Sequence, residues 1–223
     1  TSLGENHSAT RELVHAEFPN VIVSTALVER SVADTWRAHA VPTWVTENVV
    51  LCPAWIEAPE AEHVIRIEPA DTFGLGNHTT TVLALRLGLA HCVPKSRVFD
   101  FGCGSGVLAI AVTKIHQCES YVFDIAHNAK EVVRINDELN DVHTTWRSDV
   151  RDLNARLVFA NILAPVLIAE SATIKGSIVQ SGLIVLSGMR EEQVENVLLS
   201  YTDCVELDRE IIDGWAAVIL RKL

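Results

Sequence analysis

From residue 97 onward, short unbroken apolar runs take turns with longer segments whose apolar positions recur every three or four residues. The first run, Val98-Phe99-Asp100-Phe101, sets three apolar or aromatic residues around an acid and predicts a buried strand. Val107 to Val112 is apolar on all sides and predicts a helix wedged against a sheet. Tyr121-Val122-Phe123-Asp124 predicts a second strand, and Asn128 to Leu139 a helix with Val132, Ile135 and Leu139 on one face. Further strands are expected near Thr144–Arg147, at Leu157–Ala160 and at Gly182–Gly188. Pro165 fits the first turn of a helix, and another helix holds Val194, Val197 and Leu198. Strands reading as continuous apolar runs between helices argue for an α/β fold, a mostly parallel sheet covered on both faces. Two strands in succession, near Val205–Leu207 and Ala216–Leu220, imply a closing hairpin and hence an antiparallel edge strand.

Before residue 97 the pattern is less regular. A short helix is expected from about Ala9 to Glu17 and a strand at Val21–Val23. Asn48–Leu51 reads as a strand stopped by Cys52-Pro53, because proline cannot extend the hydrogen-bond ladder. His63 to Glu68 alternates and reads as its partner. Trp36, Trp44 and Trp55 are expected to pack an entrance layer. A helix should run from Val82 to about Ala90.

The chain has 223 residues, enough for one moderately large domain, or one with a small appendage. The reading assigns residues 1–69 to a short extension with entrance strands and 70–223 to the main domain. No apolar run approaches the roughly 20 residues of a membrane span, and no secretion-type leader opens the sequence. Five cysteines, with no C-x-x-C pair, argue against a disulfide scaffold or zinc ribbon and for a reduced, cytoplasmic setting. No metal is expected. The formal net charge of −11 disfavours broad phosphate-backbone binding, hence direct nucleic-acid contact, and suits a partner with a basic segment.

The chemistry concentrates where strands meet turns. Phe101-Gly102-Cys103-Gly104-Ser105-Gly106 alternates glycines with small residues between a strand and a helix, so a ligand can approach the main chain closely. A dinucleotide fingerprint would place its third glycine one position later, where Val107 stands. Asp124, about 20 residues beyond the glycines, sits where an acid holds ribose hydroxyls in doubly wound sheets. Pro69 to Thr81 is too rich in glycine and hydroxyls for a strand. One threonine explains a helix cap, and three in succession suggest a loop facing a ligand. His78 suits a base or a helix start equally. Asp149 is a positional candidate for an adenine amino group. The layout as a whole is that of a Rossmann-like, class I S-adenosylmethionine-dependent methyltransferase.

Four stretches carry a more specific resemblance. They are Glu68-Pro69 through Phe73-Gly74-x-Gly76-x-His78-x-Thr80-Thr81, Asp100 through Gly106, Asp124-Ile125, and Ala160-Asn161-Ile162-Leu163-Ala164. With Leu186-Ser187-Gly188 and Trp215, from about Trp36 to the C-terminus, the chain resembles the bacterial PrmA-like methyltransferases of ribosomal large-subunit protein eleven. The resemblance implies transfer of methyl groups from S-adenosyl-L-methionine to the α-amine or lysines of a protein, possible ribosomal substrates included.

By that resemblance Thr81, Gly102, Asp124 and Asn161 match cofactor-contacting positions. Phe73, Gly74, Asp100, Cys103, Gly104, Gly106, Ile125 and Asp149 complete the expected cofactor set. Asn161 and the Ile162 carbonyl are the expected catalytic pair, accepting the hydrogens of the acceptor amine. The sequence departs from the family at Leu75, usually threonine, at Ala70, usually glycine, and at Arg156, where an acid opens the strand. Only about 35 residues precede Trp36, with no evident counterpart of the family's separate substrate-recognition domain. A small-molecule amine methyltransferase and a non-catalytic cofactor-binding module are the alternative readings.

Overall fold

The computed structural model describes residues 37, 39–68, 76–150 and 153–223. The chain divides into two units, Thr1–Ala40 and Val41–Leu223, and the second carries the elements below. The expected helix at 9–17, the strand at 21–23, Trp36, Phe73 and Gly74 lie outside the described residues.

Three short strands come first: β1 (Thr43–Trp44), β2 (Val49–Pro53) and β3 (His63–Ile67). Helix α1 (Thr79–His91) leads to β4 (Arg97–Phe101), α2 (Val107–His116), β5 (Glu119–Phe123) and α3 (Ala129–Asn140). Next come β6 (Thr145–Trp146), β7 (Ala155–Asn161), and two short helices, α4 (Ala164–Ala169) and α5 (Ser171–Gly176). Strand β8 (Ile178–Arg190), a 3₁₀ turn at Glu191–Gln193, α6 (Val194–Leu198), β9 (Cys204–Ile212) and β10 (Trp215–Lys222) complete the chain.

The first three strands form a small sheet in which β2 pairs antiparallel with β1 and parallel with β3. The large sheet has the order β6-β5-β4-β7-β8-β10-β9. Its first five strands are mutually parallel, and β10 is antiparallel to both neighbours. The closing hairpin anticipated from the sequence supplies this antiparallel pairing. Its second arm, however, inserts one place in from the margin and leaves β9 as the edge. Composition explains the choice. Strand β10 is apolar and buried from Ala216 to Leu220, so it needs neighbours on both sides. Strand β9 carries Glu206, Asp208, Arg209 and Glu210, charges that blunt an open edge.

The unbroken apolar runs split residue by residue between two faces, as the period of two demands. Val98, Leu157, Phe159, Val185, Ala217 and Ile219 join the core under α1, α2 and the small sheet. Phe99, Val158, Ala160, Ile184, Leu186 and Val218 join the core under α4, α5 and α6. Two helices depart from the expected pattern. Helix α1 begins at Thr79 rather than Val82, because His78 Nδ1 accepts from the Thr80 amide at 3.3 Å and caps it earlier. On α3, Leu139 is exposed while Asn136 and Asn140 are buried, since their amides find backbone partners at Glu68, just after β3, and at Arg66 on β3.

Strand order reverses between β4 and β7, which places a crevice outside the carboxyl ends of those strands. Everything assigned to a site by sequence reading on β4, β5 and β7 lies at that edge. Among the described residues no helix is long and apolar enough to cross a membrane, and no cluster of ligating side chains could hold a metal ion.

Two positions three residues apart on β7 give a direct check of its burial. Phe159 is fully buried and Arg156 exposed. Urea denaturation should show Phe159→Ala costing about 3–5 kcal/mol and Arg156→Ala within about 0.5 kcal/mol of the parent. Similar losses at both positions would contradict the burial assigned along β7.

Candidate active site

The glycine turn joins β4 to α2 and is pinned to β5 by its own backbone. The amides of Gly102 and Cys103 both donate to the Phe123 carbonyl, at 2.8 and 3.0 Å. Gly102, Gly104 and Gly106 all adopt positive φ, at 77°, 53° and 80°, a region that L side chains avoid. The turn can therefore curl back over β5 and bring its glycine peptide groups to the crevice. Gly106 is also the N-cap residue of α2 and offers no side-chain cap.

Asp124, immediately after β5, holds the other side of the turn. Its Oδ2 accepts from the Gly104 amide at 2.8 Å and its Oδ1 from the Ala126 amide at 2.7 Å. Each carboxylate oxygen has a second lone pair, so both can still accept a ligand hydroxyl. Asp100 lies behind the turn, fully buried. Its Oδ2 accepts from the Ala109 amide at 3.3 Å, while Oδ1 has no partner. Burial, opposed by that hydrogen bond and assisted by the charge of Asp124, pushes its pKa up to about 7. The same burial, with the charges of Asp100 and Asp124, raises the Cys103 thiol far from its reactive range, so it acts as a small apolar wall.

Asn161 ends β7. Its Nδ2 donates to Thr81 Oγ1 at 3.3 Å, while its Oδ1 is buried with no partner. The next peptide is held on two sides. The Ile162 amide donates to the Ser187 carbonyl at 3.2 Å, and Ser187 Oγ donates to the Thr80 carbonyl at 3.0 Å. Gly188 has φ +86°, and a Cβ there would drive into the Ile162 peptide. On the opposite side, a Cβ on Gly102 would collide with the Ile162 side chain. The residues that end β7 are thus seated directly against both the glycine turn and the β8 glycine.

These groups surround one cavity of about 960 Å³. Thr81, Gly102, Cys103 and Gly104 line it from one side, and Asp124, Ile125, Asn161 and Ile162 from the others. Ile125 stands 92% exposed at the rim. Asp100 and Gly106 support the turn from outside the lining. Asp149 is exposed and also outside it, where its neighbour Val150 faces the cavity instead. Arg156 stands five residues before Asn161 on β7, roughly 16 Å along the strand, so that departure from the family lies away from the cavity.

Several lining residues carried no functional role in the sequence reading. Trp215 meets the His78 ring edge-on, with centroids 4.9 Å apart, and Arg190 stacks on the indole at 3.9 Å. Burial, with the nearby Arg190 charge, lowers the His78 pKa, so the ring is neutral at pH 7 and suited to its capping role. Leu163 and Val166 continue the rim as exposed apolar groups on and before α4. Their signal in the sequence was only their adjacency to Asn161.

The Asp100 carboxyl makes stability depend on pH. Its folded pKa of about 7 exceeds the ordinary 3.8, so folding retains a proton that the unfolded chain releases. Stability from this group is full below the unfolded value and lost as pH rises to about 7. Asp100→Asn removes that dependence. Its melting temperature should therefore gain on the parent by several degrees between pH 5 and pH 8, read by calorimetry. A difference that stays constant with pH would show that Asp100 titrates normally.

Comparison with known proteins places this geometry in a family. The family model described as ribosomal protein L11 methyltransferase (PrmA) matches residues 6–223. The chain is 35% identical over 181 residues to the ribosomal protein L11 methyltransferase of Ralstonia pickettii, covering 79% of this chain and 61% of that protein. It is 32% identical over 197 residues to the one from Thermoanaerobacter pseudethanolicus, covering 85% and 64%. The chain thus spans a little over three-fifths of the length of these relatives. In fold it matches the crystal structure of a ribosomal protein L11 methylase from Lactobacillus delbrueckii subsp. bulgaricus. The TM-score is 0.72 at 23% identity, over 80% of this chain and 96% of that one. With a family model matching nearly its whole length, the chain belongs to the ribosomal protein L11 methyltransferase (PrmA) family.

Proposed function

We propose that the chain is an S-adenosylmethionine-dependent N-methyltransferase acting on amino groups of a protein, α-amine or lysine. Ribosomal protein L11, named for its relatives, is the first substrate to test. The observation that carries the reading is the buried, unpartnered Asn161 Oδ1 beside the glycine turn. A buried acceptor without a donor is costly, and a ligand N–H is the partner it lacks.

The residues present fit the cofactor. The cavity has the size of a small-molecule site. The turn offers backbone amides at its glycines, Asp124 retains lone pairs for ribose hydroxyls, and Asn161 Oδ1 lacks a donor. When bound, S-adenosylmethionine supplies an electrophilic methyl on a sulfonium leaving group. The chain's own work is placement. Asn161 Oδ1 and the Ile162 carbonyl accept hydrogens of the incoming amine and so aim its lone pair. A lysine with a reference pKa of about 10.4 must first lose its proton, and the apolar walls formed by Phe101, Phe123, Val150 and Ile162 favour the neutral amine. No dedicated base is required in this scheme. His78 serves as a helix cap.

In this reading residues 70–223 carry the reaction and residues 1–69 an extension with the entrance strands. The acidic chain, at −11, attracts a basic protein segment. The reaction belongs in the cytoplasm, where the five free cysteines stay reduced.

Titration calorimetry with S-adenosylmethionine, followed by mass spectrometry of ribosomal protein L11 incubated with both, tests the proposal. The expected result is binding together with added methyl masses. Binding with no methylated L11, but turnover of free amines, would favour the small-molecule reading, and binding without any product the non-catalytic one. Within the site, Asn161→Ala should lower kcat about 100-fold while cofactor affinity changes much less. Gly188→Ala should lower kcat at least about tenfold by displacing the Ile162 peptide. Full turnover by Asn161→Ala would remove it from the catalytic role.

A further inference from the structure

Strand β3 lies at the edge of the small sheet, and its outer backbone groups are taken up by two side chains instead of another strand. Asn140 Oδ1 accepts from the Arg66 amide at 2.8 Å, and its Nδ2 donates to the Arg66 carbonyl at 2.7 Å. One turn earlier on α3, Asn136 does the same for Glu68. Its Oδ1 accepts from the amide at 2.8 Å and its Nδ2 donates to the carbonyl at 3.0 Å. The spacing makes this possible. Residues i and i+4 of a helix rise about 6.0 Å apart, close to the roughly 6.6 Å between alternate residues of a strand. Each carboxamide, with one acceptor and one donor face, stands in for a peptide group.

The two clamps differ in one respect. The second Nδ2 hydrogen of Asn140 goes to the Asn136 carbonyl within α3, at 2.8 Å. That of Asn136 goes to the Ser105 carbonyl in the glycine turn, at 2.9 Å. Asn136 is fully buried, and both its polar atoms are engaged. One side chain therefore ties the glycine turn to Glu68, the residue after β3.

We propose that Asn136 is a positioning residue for the cofactor, holding the glycine turn in register with Glu68 just past the end of β3. The inference rests on the functional reading above. Asn140 is a purely structural clamp of matching geometry and serves as the internal control.

The test measures S-adenosylhomocysteine affinity of the full chain by calorimetry, with melting temperatures recorded alongside. Asn136→Ala should weaken binding at least about tenfold, and Asn140→Ala less than about threefold, at comparable losses of melting temperature. Equal weakening in both, or none in a folded Asn136→Ala, overturns the proposal. A second readout needs no variant. By reciprocal linkage, saturating the parent protein with S-adenosylhomocysteine should slow hydrogen exchange at the Glu68 amide several-fold more than at the Arg66 amide. Equal or absent slowing likewise overturns it. A parent protein that binds no nucleoside would instead bring down the functional reading, and this inference with it.

Discussion

The site depends on one constraint: the chain must leave β4 and enter α2 while its peptide groups remain bonded to the end of β5. Two amides on the Phe123 carbonyl and a third on the Asp124 carboxylate meet that requirement. Positive φ at three positions of the turn favours glycine there. Because β4 and β7 flank the point where strand order reverses, the turn and Asn161 face the same crevice. A bare backbone wall and a side-chain oxygen without a donor are thus consequences of topology as much as of residue choice.

The buried polar groups show where the fold gives up stability for this arrangement. Asp100 is sealed from solvent with one oxygen unsatisfied, and Asn161 retains an orphan acceptor. Neither helps the empty protein fold, since a buried group without its hydrogen bond costs free energy. By contrast, Asn136 and Asn140 are equally buried and have found partners for their amide groups. Their cost is offset by closing a strand edge that would otherwise stand open. The contrast separates Asn161, which lines the cavity with an unpartnered acceptor, from asparagines that hold the scaffold.

Much of this was legible in the residues. Unbroken apolar runs at β4, β7 and β8 required a sheet buried on both faces, and the observed split of Phe159 from Val158 follows from strand geometry. The glycine turn, Asp124 and Asn161 were legible because each sits at a strand end, where sequence and position coincide. Less was legible where tertiary partners decide. Nothing local indicates that β10 rather than β9 is the inner strand until the charges on β9 are weighed against the apolar length of β10. The early start of α1 depended on the His78 ring acting as a cap. Asn136 and Asn140 read as ordinary polar positions, although two asparagines one turn apart on the buried side of α3 were a usable signal. Asp149 drew notice by its position alone, and the cavity is lined by Val150 beside it.

The measurement that tests the account most directly is a crystal structure of the chain with S-adenosylhomocysteine. The account predicts ribose hydroxyls on Asp124, the amino-acid end of the ligand along the glycine turn, and the sulfur turned toward Asn161. A nucleoside bound elsewhere, or Asp124 turned away from the sugar with Asn161 Oδ1 still unpartnered and remote from the sulfur, would contradict it.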